Sequence, residues 1–241
     1  MLGRVQVGEF SSIIGLIKRA QRIYGRIYTV SGVVAVFRKT ALQRCGYWGI
    51  NMVTEDIDVS WNLQLNYWDI RYEPNALCWI LMPETIKGLW TQRLRWSQGG
   101  AEVLLKYASG LFKWKKRRMW GVYLEFILSV AWAYSMATIC LLWLLGKIFP
   151  MPPQLYIDTI LPGWHGVLLG VTCLLQFGVS LILDSRYEKG LAKVYYWIIW
   201  YPLLYWVLNM LVTVVAVPKA IFKPNAKRAV WVSPDRGLGT A

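Results

Sequence analysis

Polar and apolar positions divide the chain near residue 120. Beyond it lie three uncharged runs: 21 residues over 126–146, 20 over 164–183 and 25 over 194–218. At 1.5 Å rise per residue, each can cross a hydrocarbon layer about 30 Å thick. Trp120, Tyr123, Trp164, Tyr195, Tyr196 and Trp197 border the runs, as aromatic residues do at membrane–water boundaries. The pattern predicts about three transmembrane helices, approximately 121–146, 164–183 and 194–218.

The first half alternates shorter signals. Residues 5–24 mix Ile13, Ile14 and Ile17 with Lys18, Arg19 and Arg22 at helical spacing, and Gly25 ends that helix. Residues 27–37 are β-branched and aromatic, which predicts a buried strand. Ser31-Gly32 inside it permits either a bulge or close approach by a ligand. A short helix is expected over Arg38–Arg44, then a loop over Cys45–Met52. Thr54 is placed to cap a helix from Glu55 to about Tyr67, with Ile57, Trp61 and Leu65 along one face. Short strands are expected at Ile70–Glu73 and Leu77–Met82. Pro83-Glu84-Thr85 starts another helix, to about Tyr107.

Charge sharpens this division. The 241 residues are 56% hydrophobic, with net charge +14. Residues 1–119 hold 18 of the 27 Lys and Arg and 8 of the 13 acids. The basic residues cluster beside apolar runs, as the positive-inside rule and anionic lipids both favour, so nucleic acid is not the expected partner. Six Lys/Arg lie in 106–118, one in 146–163 and three in 184–193. The first half and the second loop therefore belong on the cytoplasmic side. Three crossings would put the tail (Lys219, Lys223, Lys227, Arg228, Arg236) on the far side, against the rule. Either the third run does not fully cross or the tail is an exception; the run's length argues for crossing.

Cys45, Cys78, Cys140 and Cys173 have neither disulfide nor zinc spacing, and His165 is the lone histidine. Serine-triad chemistry and multi-histidine metal sites are not expected. The candidate chemistry sits elsewhere. Glu55, Asp56 and Asp58 stand at a helix N-terminus, where acids complement the dipole. A carboxylate fixed there also suits a general base. Gln92, Arg95 and Trp96 follow 36 residues after Asp56 and share a helix face at i, i+3 and i+4. The guanidinium fork suits a diphosphate, and the indole offers a platform for a sugar ring. The same residues would also anchor an amphipathic interfacial helix. Gly99-Gly100, a turn further on, allows close backbone approach.

Thr54-Glu55-Asp56 followed by Gln92-x-x-Arg95-Trp96 ahead of membrane helices resembles the processive family-2 glycosyltransferases, which include cellulose, chitin, hyaluronan and poly-N-acetylglucosamine synthases. Val7-Gly8-Glu9-Phe10-Ser11-Ser12-Ile13-Ile14-Gly15-Leu16-Ile17-Lys18-Arg19, Trp79–Thr85 and Trp231–Gly237 extend the likeness over essentially the whole chain. The resemblance implies an α/β fold plus membrane helices: the second half of a Rossmann-like domain over 1–84, interfacial amphipathic and basic segments over 85–119, membrane helices over 120–218 and a basic tail over 219–241. It implies polymerisation of N-acetylglucosamine from UDP-GlcNAc onto a growing polysaccharide at the bacterial inner membrane. Asp56 would be the base, with Glu55 beside it at the substrate. Arg95 and Gln92 would hold the diphosphate, with Arg93 a further phosphate contact, and Trp96 would stack on the acceptor.

A small membrane partner subunit and cyclic di-GMP are implied by the same likeness. So is a divalent metal (Mg²⁺ or Mn²⁺), but its Asp-x-Asp pair is not found before Thr54. The expectation is a C-terminal part, lacking the donor and metal half and inactive alone. The alternatives are a sister synthase making chitin, hyaluronan or cellulose, and a non-catalytic membrane docking or assembly protein.

Overall fold

The computed structural model describes residues 2–160, 163–223 and 228–230; the Trp231–Gly237 motif lies outside them. The predicted first helix forms in three joined pieces: α1 (Leu2–Phe10), a π-helical stretch (Ser11–Ile17) and α2 (Lys18–Tyr24), stopped by Gly25 at φ 155°. Next come α3 (Lys39–Cys45), closed by left-handed Gly46, and α4 (Glu55–Leu65). The long α5 (Ile86–Leu111) follows, capped where Thr85 Oγ1 accepts the Gly88 N–H at 3.0 Å. A 3₁₀ turn over Trp114–Met119 leads into α6 (Trp120–Ile148), and α7 (Trp164–Asp184) follows. A further 3₁₀ turn (Leu191–Val194), α8 (Tyr195–Ile198), a second π-helical stretch (Tyr201–Tyr205) and α9 (Trp206–Ile221) complete the described helices.

Among the described residues, three helical stretches are long and apolar enough to cross a membrane: Trp114–Ile148, Trp164–Asp184 and Tyr201–Ile221. Their outward faces carry Leu128, Leu144, Leu175, Ile182, Leu203 and Leu204, each more than half exposed. That pattern suits a surface solvated by lipid.

The strands expected over 27–37, 70–73 and 77–82 do not form, and no strand occurs among the described residues. Strand propensity needs a neighbour to satisfy backbone N–H and C=O groups. At 27–30 the side chains of α4 take that place. Gln64 Nε2 donates to Ile27 O at 2.7 Å while Gln64 Oε1 accepts from Ile27 N at 3.0 Å. Ser60 Oγ accepts from Val30 N at 2.8 Å, and Trp61 Nε1 donates to Tyr28 O at 3.1 Å. Residues 33–36 and 76–79 are exposed and irregular instead, with a bend at 33–34, Val36 fully open and Trp79 76% exposed.

Two cores hold the molecule together around α5. Met52, Ile57, Trp61, Leu65, Val103, Leu111, Met119 and Val122 join α4, α5 and the start of α6. Val5, Leu89, Phe177, Leu181, Leu191, Ile198, Tyr201 and Tyr205 join α1 and α5 to α7 and the second π-helical stretch. The four cysteines are free.

Candidate active site

The site is built where the start of α4 meets the middle of α5. Thr54 takes the N-cap position, but its side chain makes no capping bond; its Oγ1 is buried without a hydrogen-bond partner. Instead Thr54 packs on Gly99, where any Cβ would collide with it. Gly100 likewise admits Tyr28 and Phe126. The paired glycines thus allow close approach by neighbouring side chains of the protein itself.

Asp56 and Asp58 then diverge. Asp58 is 2% exposed, and its Oδ1 takes Lys106 Nζ at 2.6 Å and Tyr107 Oη at 2.9 Å, both from α5. Asp56 is half-buried, and its Oδ1 accepts the Ile57 N–H at 2.9 Å. Burial pushes the Asp56 carboxyl above its usual range and the neighbouring Glu55 pushes it further, while the Ile57 N–H and the Arg95 guanidinium pull it back. Arg95 therefore reaches Asp56 electrostatically, which brings the two sequence motifs to one place. Glu55 is exposed beside them. Gly32 covers the carboxylate: a Cβ there would lie 3.3 Å from Asp56 Oδ2.

Lys18 is a residue that the sequence reading did not single out. It is 7% exposed, and Asp56 acts on it. Burial lowers its ammonium to about 8, against a smaller upward pull from Asp56. In the sequence it looks like one of several basic residues on an amphipathic helix. The π-helical turn immediately before it shifts the helical register, a change that hydrophobic spacing does not announce.

On α5, Gln92 is 8% exposed and its Oε1 is buried without a hydrogen-bond partner. Arg93 is 5% exposed; its Nη2 pairs with Glu9 Oε2 at 2.5 Å and donates to Tyr205 Oη at 3.2 Å. Tyr201 Oη reaches Glu9 Oε1 at 3.5 Å. The Arg93 guanidinium also lies 4.3 Å over the Trp96 ring, and Phe10 flanks that ring at 5.9 Å. The charge that a phosphate contact would need is thus engaged by Glu9. Arg93 instead fixes the half-buried Trp96 and ties α5 to α1 and to the last apolar helix. Glu9, Tyr201 and Tyr205 are the other members of this cluster missing from the sequence reading. Their sequence separation hides them, although an acid inside the apolar stretch 5–17 is a signal.

Among the described residues, no group of three or more His, Cys, Asp and Glu is arranged to hold a metal ion. Asp58, the other half of the Asp56-x-Asp58 spacing, is engaged by Lys106 and Tyr107. The described residues do not fit a resident divalent cation.

Asp56, its basicity raised by burial, lies within electrostatic reach of Arg95, and Trp96 follows on the same helix under the Arg93 guanidinium, all next to apolar helices. Residues 1–210 match the family model described as glycosyl transferase family group 2, and the chain belongs to that family. It is 44% identical over 239 residues to the poly-beta-1,6-N-acetyl-D-glucosamine synthase of Staphylococcus epidermidis. It is 42% identical over 241 residues to the protein of that name from Staphylococcus aureus (strain COL). Each alignment covers 98% of this chain and 58% of the relative, so the chain spans under two thirds of those curated proteins. No solved structure matches it.

Proposed function

We propose that the chain carries the acceptor and general-base part of an inverting, membrane-embedded N-acetylglucosaminyltransferase that extends poly-β-1,6-N-acetylglucosamine from UDP-GlcNAc. The observation that carries the reading is the convergence of Asp56 and Arg95, from motifs 36 residues apart, with Gln92 and Trp96 on the same helix. Asp56 takes the proton of the acceptor hydroxyl. That oxygen attacks the anomeric carbon as its bond to the diphosphate breaks, UDP leaves on the opposite face, and the centre inverts. A base whose basicity is raised by burial suits this step.

Arg95 offsets the charge developing on the diphosphate, and the buried Gln92 Oε1 accepts a ligand N–H or O–H. Trp96, held by Arg93 and Phe10, is the acceptor platform. Lys18 supplies a second cation beside Asp56. A divalent metal would neutralise the diphosphate, but no step here runs through one.

The β-prone, exposed segments 33–36 and 76–79 support a place at the edge of a Rossmann-like α/β domain in the working enzyme. The basic run Lys113–Arg118 supports a cytoplasmic first half at a bacterial inner membrane. A small membrane subunit and cyclic di-GMP rest on family likeness alone.

The test is a chimera in which this chain replaces the matching region of the Staphylococcus epidermidis synthase. Membranes carrying it should convert labelled UDP-GlcNAc to polymer of β-1,6 linkage, and Asp56→Asn should abolish synthesis while leaving UDP affinity unchanged. Substantial synthesis by the Asp56→Asn chimera would reduce Asp56 to a helix-capping acid. A product of another linkage would select a sister synthase.

A further inference from the structure

The last apolar helix makes contacts that a membrane crossing does not predict. The α6 residues that share a cavity, a ring contact or a hydrogen bond with it fall between Phe126 and Tyr134. Phe126, Ile127, Val130 and Ala131 share an apolar cavity of about 210 Å³ with Val217 and Ile221. Trp132 meets Trp206 at 5.7 Å, and Tyr134 Oη reaches Val214 O at 3.4 Å. That stretch of α6 is about 12 Å long, whereas α6 runs on to Ile148, roughly 20 Å further. The end of α9 thus lies level with the start of α6.

The beginning of the helix stays on the same side. Tyr201 packs edge-on against Phe177 at 4.7 Å, two helical turns before α7 ends at Asp184. Asp184 itself meets Ser11 and Arg19 of the first half. Tyr205 bonds Arg93. The deepest neighbours are those of Trp206, which shares a cavity of about 280 Å³ with Leu169, Thr172 and Cys173.

Beyond α9 the chain returns to the site. Lys223 Nζ bonds Asn51 O at 2.6 Å and Glu102 Oε2 at 2.8 Å, and Ala229 N donates to Ile50 O at 3.0 Å. Glu102 also accepts the Val53 N–H at 3.2 Å. These partners flank the loop that leads into Thr54 and Asp56.

We propose that the third apolar helix is re-entrant: it dips into the leaflet on the side of residues 1–119 and comes back, so that the tail straps the loop before Asp56. Its exposed face, with Leu203, Leu204, Val207 and Leu211, is occupied by the acyl chains of that one leaflet. Arg93 and Glu102 of α5 meet opposite ends of the helix and its tail, so α5 and α9 run together along the same membrane boundary. Lys219, Lys223 and Arg228 then share a side with the basic run at 113–118, as the positive-inside rule requires. Length and hydropathy count apolar residues but not where a helix ends, so they do not detect the return. The inference rests on the membrane reading and not on the transfer chemistry.

Single cysteines placed in the full chain, with the four native ones replaced, test it in intact cells and inverted vesicles with a membrane-impermeant maleimide. Gln154→Cys in the loop between α6 and α7 marks the far side, and Glu188→Cys marks the near side. Val230→Cys is expected to label with Glu188→Cys in inverted vesicles and to be silent in intact cells. Labelling with Gln154→Cys would overturn the proposal, because α9 would then cross. If Gln154→Cys and Glu188→Cys label from one side, α7 does not cross, and the membrane reading falls with the proposal. A doubly substituted Ile50→Cys, Ala229→Cys chain gives a second readout that needs no activity. Oxidation should join the two positions, and failure to join them in correctly inserted protein counts against the strap.

Discussion

Asp56 and Asp58 stand two residues apart in the first turn of one helix, with opposite fates. Asp58 is sealed by Lys106 and Tyr107 and joins α4 to α5. Asp56 faces Lys18, Arg95, Glu55 and the backbone of Gly32 across a half-open space. Residue type and helix-end position are shared, so neither tells the two carboxylates apart. What separates them is how fully each is satisfied by fixed donors. A carboxylate bound by two donors is a strut, whereas one that is desolvated and incompletely bonded can exchange a proton.

The two aspartates should differ most in stability. Asp58→Ala removes two charge-assisted bonds from a buried carboxylate and should cost about 3 kcal/mol in thermal unfolding of the detergent-solubilised chain. Asp56→Asn should leave stability unchanged or raise it slightly, because burial already disfavours the charged form. Equal losses at the two positions would erase the distinction and make Asp56 a second strut.

Much of this was legible in the pattern of residues. The spacing of Ile57, Trp61 and Leu65 predicts α4, and the uncharged runs predict the apolar helices. The Gln92–Trp96 set falls on one helix, α5, as its spacing predicts. The strand expectations fail because β-branched residues report a preference for a pleated, half-buried surface, and here Gln64, Ser60 and Trp61 supply the hydrogen bonds to the segment instead. Lys18, Glu9 and Tyr205 stay hidden because π-helical turns shift register and because their partners lie far away in sequence. Arg93 is the instructive case. Its type suits phosphate, but it is buried against Glu9 and Trp96 and fixes the indole.

Lys18 should produce a smaller effect, seen in the pH dependence of stability. Its folded ammonium titrates at about 8, below the ordinary 10.5, so between those values the unfolded chain binds more protons than the folded one. Stability should therefore rise with pH across this window, by roughly 1.5 kcal/mol between pH 8 and 9.5. The penalty is fully present below pH 8 and gone above 10.5. Lys18→Met should flatten that slope, whereas Lys106→Met, which acts on the other aspartate, should leave it in place. An unchanged slope in Lys18→Met would mean that Lys18 keeps water and does not face Asp56 as a buried cation.

The smallest effect is expected at Gly32. A methyl group there would sit 3.3 Å from Asp56 Oδ2, tight enough that the carboxylate or the loop must yield by a few tenths of an ångström. The residue is exposed and lies in a bend, so the loop can give, and Gly32→Ala should change stability by less than about 0.5 kcal/mol. If the space over Asp56 is where the acceptor hydroxyl arrives, the same methyl should still weaken acceptor use. In the chimera this would appear as a raised acceptor KM with unchanged UDP affinity. The paired readout separates the roles of the two aspartates without unfolding the protein. Gly32→Ala acts only above Asp56, so a loss of stability without any loss of acceptor use would place the acceptor elsewhere on the helix face that carries Trp96.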